Sequence, residues 1–155
     1  MTLPAIGDTP ADFSLHATNN EIFSLPEQRG KIVVLYFYPR DNTPGCTTEA
    51  QQFRDRHADF LAAGAVVAGI SRDSVKSHEN FAQRQNLPFP LLSDADETLC
   101  AYFGVIKQKK LYGKEARGIE RSTFVLDRDG ILRREWRGVK VPNHVDEVLT
   151  FVRTL

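Results

Sequence analysis

Residues 31–46 read KIVVLYFYPRDNTPGC, from Lys31 to Cys46. In Lys31–Tyr38 every residue after Lys31 is β-branched, aromatic or leucine, with no polar alternation. That pattern predicts a strand buried on both faces, as at the centre of a partly parallel sheet. Pro39 has no N–H to donate and ends the ladder. The polar stretch Arg40–Gly45 then leads to Cys46. From Cys46 to Ala63 the periodicity becomes helical. Ala50, Phe53, His57, Phe60 and Leu61 form one apolar face, and Gly64 is the expected stop. Cys46 is therefore expected where a buried strand gives way to a helix.

On the N-terminal side, residues 1–11 read as irregular, punctuated by Pro4, Gly7 and Pro10. Asp12–His16 and Glu21–Ser24 read as short strands joined by a turn at Thr18-Asn19-Asn20. Gln28-Arg29-Gly30 breaks the chain before Lys31. On the C-terminal side, Ala65–Ile70 is a second buried strand. Ser71 or Asp73 is the expected cap of a helix over Ser74–Gln85, which Pro88 and Pro90 prevent from continuing. Phe89–Leu92 is a short strand, and Asp94–Phe103 a short helix ending at Gly104. Lys107, Lys109, Lys110 and Lys114 lie in a segment expected to be irregular. Ile119–Leu126 and Ile131–Arg137 are strands joined by a turn at Asp127–Gly130. The last helix, about Asn143–Arg153, carries Val145, Val148, Leu149 and Val152 on one face. Two strand–helix–strand units, a hairpin and a terminal helix predict an α/β fold. Its mixed central sheet is flanked by helices, with an N-terminal hairpin, in a single domain over residues 1–155.

A chain of 155 residues supports one ordinary core, burying roughly 68–70% of its unfolded surface. Twenty basic residues balance twenty acidic ones, so bulk charge offers no case for nucleic acid or an anionic membrane. The Lys107–Lys114 lysines lack the aromatic interleaving of a nucleic-acid platform. They read as a solvated loop, with guidance of an acidic partner as the alternative. The apolar stretches are strand-sized, and MTLPAIGDTPADF has neither a basic nor an apolar leader region, so a cytoplasmic protein is expected. No GxGxxG or GxxxxGK[ST] follows a strand, which argues against a dinucleotide or phosphate-loop site. His16, His57, His78 and His144 show no compact ligand spacing, so a metal site is not expected. His57 falls on the apolar helical face and reads as a packing residue.

Two cysteines, Cys46 and Cys100, without a CxxC do not make a disulfide scaffold. At a helix start, the Cys46 sulfur meets unpaired N–H groups and the positive helix end, both of which favour thiolate. The alternative is a small buried side chain. Thr43 offers a hydroxyl on the same loop or, alternatively, a helix cap. Pro39 fences one side of the pocket or simply ends the strand. Glu49, one turn after Cys46, closes a capping box, holds an arginine or is an ordinary first-turn acid. Arg121 opens the segment STFVL, where parallel neighbours would bring it beside Cys46; a surface arginine is the alternative. Its charge would stabilise thiolate and a growing oxyanion.

The segment YFYPRDNTPGCTTE closely resembles the active-site segment of the peroxiredoxins, and more narrowly that of the bacterioferritin-comigratory protein (peroxiredoxin Q) group. Its core form, Pro-x-x-x-Thr-x-x-Cys, falls on Pro39, Thr43 and Cys46. The resemblance continues through Phe89–Asp94 and Gly118–Gly130, hence over nearly the whole chain. It implies a thioredoxin-like fold and a thiol peroxidase in which Cys46 attacks hydrogen peroxide or an alkyl hydroperoxide. Thr43, Arg121 and the Cys46 N–H would orient the peroxide, Pro39 would shield the sulfur, and Glu49 would orient Arg121. Tyr38 is assigned pocket packing without proton transfer. The product would be a sulfenic acid, with no cofactor needed because sulfur supplies both electrons.

The chain departs from the pattern at the second cysteine. Many relatives carry it five positions after the first, where this chain has Gln51. A variant carries it in the next major helix, here Ser74–Gln85, which has none. Cys100 is the remaining thiol, either structural or resolving. The expectation is a one-cysteine cycle closed by an external thiol: thioredoxin, glutaredoxin with glutathione, or another small thiol. The competing readings are a two-cysteine peroxidase using Cys100, a thiol–disulfide exchanger, and a redox sensor or chaperone without turnover. A monomer is preferred over a dimer.

Overall fold

In the computed structural model, residues 2–111 and 113–155 are described, without the side chains of Lys109, Lys110 and Leu111. The apolar run becomes β3 (Ile32–Phe37), with every residue buried. It lies at the centre of a five-stranded sheet. Burying one such side chain is worth about 1.5–3 kcal/mol, more than the ~1 kcal/mol span of intrinsic strand propensities, so burial is what sets this strand.

Parallel to β3 runs β4 (Ala65–Ser71), paired from Ile32↔Ala65 to Phe37↔Ile70. Parallel to β4 runs β5 (Leu91–Ser93). On the other side of β3 lie β8 (Ser122–Leu126) and then β9 (Leu132–Arg137), both antiparallel to their inner neighbours. The sheet order is β5-β4-β3-β8-β9. The N-terminal hairpin is β1 (Ser14–His16) with β2 (Ile22–Ser24). Its turn puts Asn19 and Asn20 at positive φ, a conformation asparagine tolerates. The mixed sheet, its flanking helices and this hairpin are as expected.

Several boundaries differ from the reading of the sequence. The helix expected over residues 46–63 is two, α1 (Pro44–Asp55) and α2 (His57–Ala62), with Arg56 between them. Ala50, Phe53 and Phe60 are buried, but Leu61, in α2 beyond the break, is 53% exposed. The next helix, α3 (Val75–Gln85), is capped by Ser74, whose hydroxyl accepts from Ser77 N at 3.1 Å. Asp73 instead accepts from the Asp41 backbone N–H. The helix expected from Asp94 begins later, as α4 (Thr98–Phe103). The Asp94 carboxylate accepts from the Leu99 and Cys100 N–H groups, serving the helix from outside it.

The segment expected to be irregular is a hairpin of β6 (Ile106–Leu111) and β7 (Lys114–Ile119). Lys107 and Lys114 sit on it; the side chains of Lys109 and Lys110 lie outside the described residues. Ile119 belongs to β7, so the strand expected over Ile119–Leu126 is interrupted at Glu120-Arg121. Finally α5 (His144–Val152) buries Val145, Val148, Leu149 and Val152 as expected.

Alternate residues of β3 serve two cores, as the period of two requires. Val34, Tyr36 and Tyr38 pack with Cys46, Phe53, Phe60 and Val148. Val33, Leu35 and Phe37 pack on the opposite face with Cys100, Phe103 and Phe124.

Candidate active site

The site begins where β3 ends. Tyr38 N–H still donates to Ile70 O at 3.0 Å. Beyond it Pro39 ends the ladder, and Asn42 turns the chain at φ 64°. Thr43 has extended backbone and Pro44 opens α1. Proline suits that position, since a first-turn N–H has no acceptor within the helix and its fixed φ is already helical. Cys46 is thus the third residue of α1 rather than its start. Its N–H is among the four that the helix leaves without an internal acceptor.

Arg121 reaches Cys46 through strand pairing. Phe37, the last residue of β3, is registered opposite Ser122, the first of β8. The neighbouring Arg121 therefore stands where the chain leaves β3 for the Cys46 loop. The pairing is antiparallel, not parallel as expected, and it is this direction that brings the start of β8 to the end of β3. Val139 N–H donates to Arg121 O at 2.9 Å and holds its backbone. Arg121 Nη2 donates to Cys46 Sγ at 3.5 Å, and Nη1 donates to Glu49 Oε1 at 2.6 Å. The guanidinium is partly buried, which alone would favour its neutral form. The charges of Glu49 and Cys46 and their hydrogen bonds outweigh that and hold it firmly cationic.

Glu49 is fully buried, three residues after Cys46 on the same helix. Burial pushes its carboxyl up to about 7, against the pull of the Arg121 charge and hydrogen bond. Its second oxygen, Oε2, has no hydrogen-bond partner among the described residues. Cys46 itself is only 2% exposed, so the sulfur is nearly covered although the Arg121 cation lies against it. Pro39 is half-buried beside this loop. Thr43 is also half-buried, and its hydroxyl donates to Arg40 O at 2.9 Å rather than towards the sulfur.

Two participants escaped the sequence reading. Gly45 lies in the first turn of α1, where a Cβ would sit 3.1 Å from Arg121 Nη2. The missing side chain is what lets the guanidinium come close. A glycine inside a helix start, with no turn to make, was the available signal. Tyr36 is the second. Its ring stacks on Phe53 at 4.5 Å and its buried hydroxyl has no partner among the described residues. Burial, then the Glu49 and Cys46 charges, push its phenol well above the ordinary range. Nothing in the apolar run distinguished it from its neighbours. Tyr38 does more than pack, since its hydroxyl donates to Asp41 at 2.6 Å.

The other residues singled out lie elsewhere. Cys100 is fully buried in α4, on the opposite face of β3 from Cys46. Burial and the Asp94 hydrogen bond and charge push its thiol far up. Gln51 donates to Gln85 at 2.9 Å, joining α1 to α3. His57 is half-buried against Phe89, a packing role as expected. Among the described residues no helix is long and apolar enough to cross a membrane.

A thiol in the first turn of a helix, held against an arginine and carried by a mixed five-stranded sheet with a separate N-terminal hairpin, defines a thiol peroxidase of thioredoxin-like architecture. The AhpC/TSA family matches residues 6–135. A putative peroxiredoxin of Coxiella burnetii is 49% identical over 144 residues, covering 93% of this chain and 95% of that protein. The Bcp peroxiredoxin of Bacillus subtilis is 48% identical over 150 residues, covering 97% and 96%. A solved structure of the Xanthomonas campestris bacterioferritin comigratory protein, described for its alkyl peroxide reduction activity, superposes with a TM-score of 0.87. It is 47% identical and covers 92% of this chain and 90% of that one. The chain belongs to the AhpC/TSA family and, within it, to the bacterioferritin-comigratory protein (peroxiredoxin Q) group of peroxiredoxins.

Proposed function

We propose that this chain, as one domain over residues 1–155, reduces hydrogen peroxide and alkyl hydroperoxides by a one-cysteine cycle at Cys46. Thiol-dependent peroxide reduction through a peroxidatic cysteine is the activity of its group. One observation carries the assignment to Cys46: its sulfur occupies the first turn of α1 with Arg121 Nη2 at 3.5 Å.

The Cys46 thiolate attacks the near oxygen of ROOH. The S–O bond forms as O–O breaks, sulfur is oxidised to sulfenic acid, and the departing oxygen takes a proton to leave as ROH or water. Arg121 and the Cys46 N–H stabilise the charge gathering on the peroxide oxygens. Glu49 holds the guanidinium in place, and Pro39 limits access of water to the sulfur. Thr43 joins once its hydroxyl turns from Arg40 O, a rotation about one side-chain bond.

The second half of the cycle needs an external thiol. Alternate β3 residues point to opposite faces, and Cys46 and Cys100 pack on different ones. A disulfide requires Cα atoms about 4.4–6.8 Å apart. Together with the raised Cys100 thiol, this placement favours thioredoxin, glutaredoxin with glutathione, or another small thiol as the reductant. We further propose a cytoplasmic monomer.

The test is anaerobic reduction followed by one equivalent of peroxide, read by stopped flow and intact mass. Cys46→Ser should abolish rapid peroxide consumption. Cys100→Ser should still form the sulfenic acid and turn over with external thiol. Loss of turnover in Cys100→Ser, with an obligatory disulfide in the wild type, would reject the one-cysteine cycle.

A further inference from the structure

The loop from Pro39 to Gly45 is tied to the rest of the molecule through Asp41. This residue is 4% exposed although aspartate is rarely buried without partners. Its Oδ1 accepts from Tyr38 Oη at 2.6 Å. Its Oδ2 accepts from Ser77 Oγ at 2.8 Å and from His78 Nδ1 at 2.7 Å. Its own N–H donates to Asp73 Oδ2 at 2.9 Å. His78, fully buried in α3, donates from Nε2 to Leu92 O at 2.9 Å. A carbonyl oxygen only accepts, and an ionised carboxylate only accepts. Nε2 therefore donates to the Leu92 carbonyl, and Nδ1 faces the Asp41 carboxylate. Burial alone would raise the Asp41 carboxyl, but the hydrogen bond and charge of His78, with the bonds from Tyr38 and Ser77, hold it below the usual range.

Asp41, Asp73 and His78 bring donor atoms within 4.8 Å of one another, as a metal site would. Both His78 nitrogens and both Asp41 oxygens already have protein partners, so these contacts form a tie between segments rather than a ligand set. The tie joins Tyr38 just past β3, the Cys46 loop, α3 and β5. A second contact acts in the same direction, with Arg84 Nη1 donating to Asn42 Oδ1 at 3.2 Å.

We propose that the buried Asp41–His78 hydrogen bond is a positioning device for the peroxide reaction, holding the residue 39–45 loop in the one arrangement that presents Cys46 to Arg121. The loop has a left-handed residue at Asn42 and a proline at each end of its central stretch, so few alternative paths keep Cys46 in place. The tie enters at Asp41, two residues after Pro39 and two before Thr43. Releasing it frees the backbone on both sides of the reactive segment. Because Cys46 is 2% exposed, release also uncovers the sulfur. Looser positioning should slow attack on a small peroxide while speeding reaction with a bulkier alkylating agent. Displacements near 1 Å can cost about a hundredfold in rate.

This inference rests on Cys46 being the peroxide-reactive thiol, so the test has a readout that does not depend on peroxide. Asp41→Asn and His78→Asn are compared with the wild type for single-turnover peroxide consumption and for iodoacetamide labelling of Cys46 followed by mass. A roughly tenfold to hundredfold slower peroxide reaction and faster labelling are expected. Leu132→Ala, a core truncation on the opposite face of the sheet, controls for lost stability and should leave both rates unchanged. Ser77→Ala and Tyr38→Phe each delete one bond to Asp41 and should shift both rates in the same directions by less. They serve as the test if the Asp41 and His78 variants fail to fold. Wild-type values for both rates in the folded variants would overturn the proposal. So would shifts no larger than those of Leu132→Ala. A wild type that labels at Cys46 but does not consume peroxide would instead refute the proposed function.

Discussion

Replacing Arg121 with alanine separates the chemical role of one guanidinium from its structural role. The substitution removes the donor 3.5 Å from Cys46 Sγ and the partner 2.6 Å from Glu49 Oε1. Losing one preorganised donor to a developing oxyanion costs about 10²–10³ in rate, roughly 2.7–4 kcal/mol. The structural cost comes from Glu49, which is left fully buried with both oxygens unpaired. An uncompensated buried charge would cost about 3–5 kcal/mol. The Glu49 carboxyl is already pushed up to about 7 by burial, so near neutral pH it can take a proton instead. The remaining penalty is that of an unsatisfied neutral group, about 1–3 kcal/mol. Combining Arg121→Ala with Glu49→Leu removes that group and should recover most of the stability, since buried pairs are often replaced by apolar residues without loss. The peroxide rate should not recover. Urea denaturation reads the first quantity and anaerobic stopped flow with hydrogen peroxide the second. Arg121→Ala reacting at the wild-type rate, or a double variant recovering both quantities together, would show that the guanidinium has no chemical role.

Gly45→Ala places a Cβ 3.1 Å from Arg121 Nη2. It should slow peroxide attack about tenfold by displacing the guanidinium while urea stability holds, since alanine suits a helix better than glycine. A wild-type rate in that variant would show the close approach to be unimportant. Gly69→Ala would set a Cβ 2.8 Å from Tyr36 Oη and Leu91 Cδ2, and should cost about 1–3 kcal/mol by overpacking, measured by urea midpoint. Two buried groups should oppose each other in the pH dependence of stability. Glu49, raised by burial from 4.5 to about 7, stabilises the fold most below 4.5, and its contribution is lost as pH rises to 7. His144, lowered from 6.5 to about 4 by burial and the Arg121 charge, contributes above 6.5, and that contribution is lost as pH falls to 4. Glu49→Gln removes the first effect. The stability of that variant should rise by about 1–3 kcal/mol between pH 4 and 6.5, and a profile parallel to the wild type would contradict the Glu49 assignment.

Local chemistry was enough to read the elements and half of the site. The unbroken run Ile32–Phe37 had to be a doubly buried strand, because six apolar residues without alternation leave no face for water. Asn19-Asn20 marked a turn through their tolerance of positive φ. Val145, Val148, Leu149 and Val152 marked one helix face through their spacing. Pro39, Thr43 and Cys46 lie within eight residues, so a strand end and a helix start place them together without any distant partner. Boundaries failed where a remote group overrode the local signal. Asp94 serves α4 from outside, and Glu120-Arg121 separates β7 from β8 within what reads as one strand.

Arg121 meeting Cys46, Glu49 becoming buried, Tyr36 lying without a hydroxyl partner among the described residues, and Asp41 pairing with His78 were decided only by the tertiary structure. Each joins residues from separate elements, and their approach depends on strand direction and register. Those are selected by the burial of the whole sheet. A side chain's periodicity records which face it occupies, while the direction of β8 beside β3 records which residue arrives opposite it.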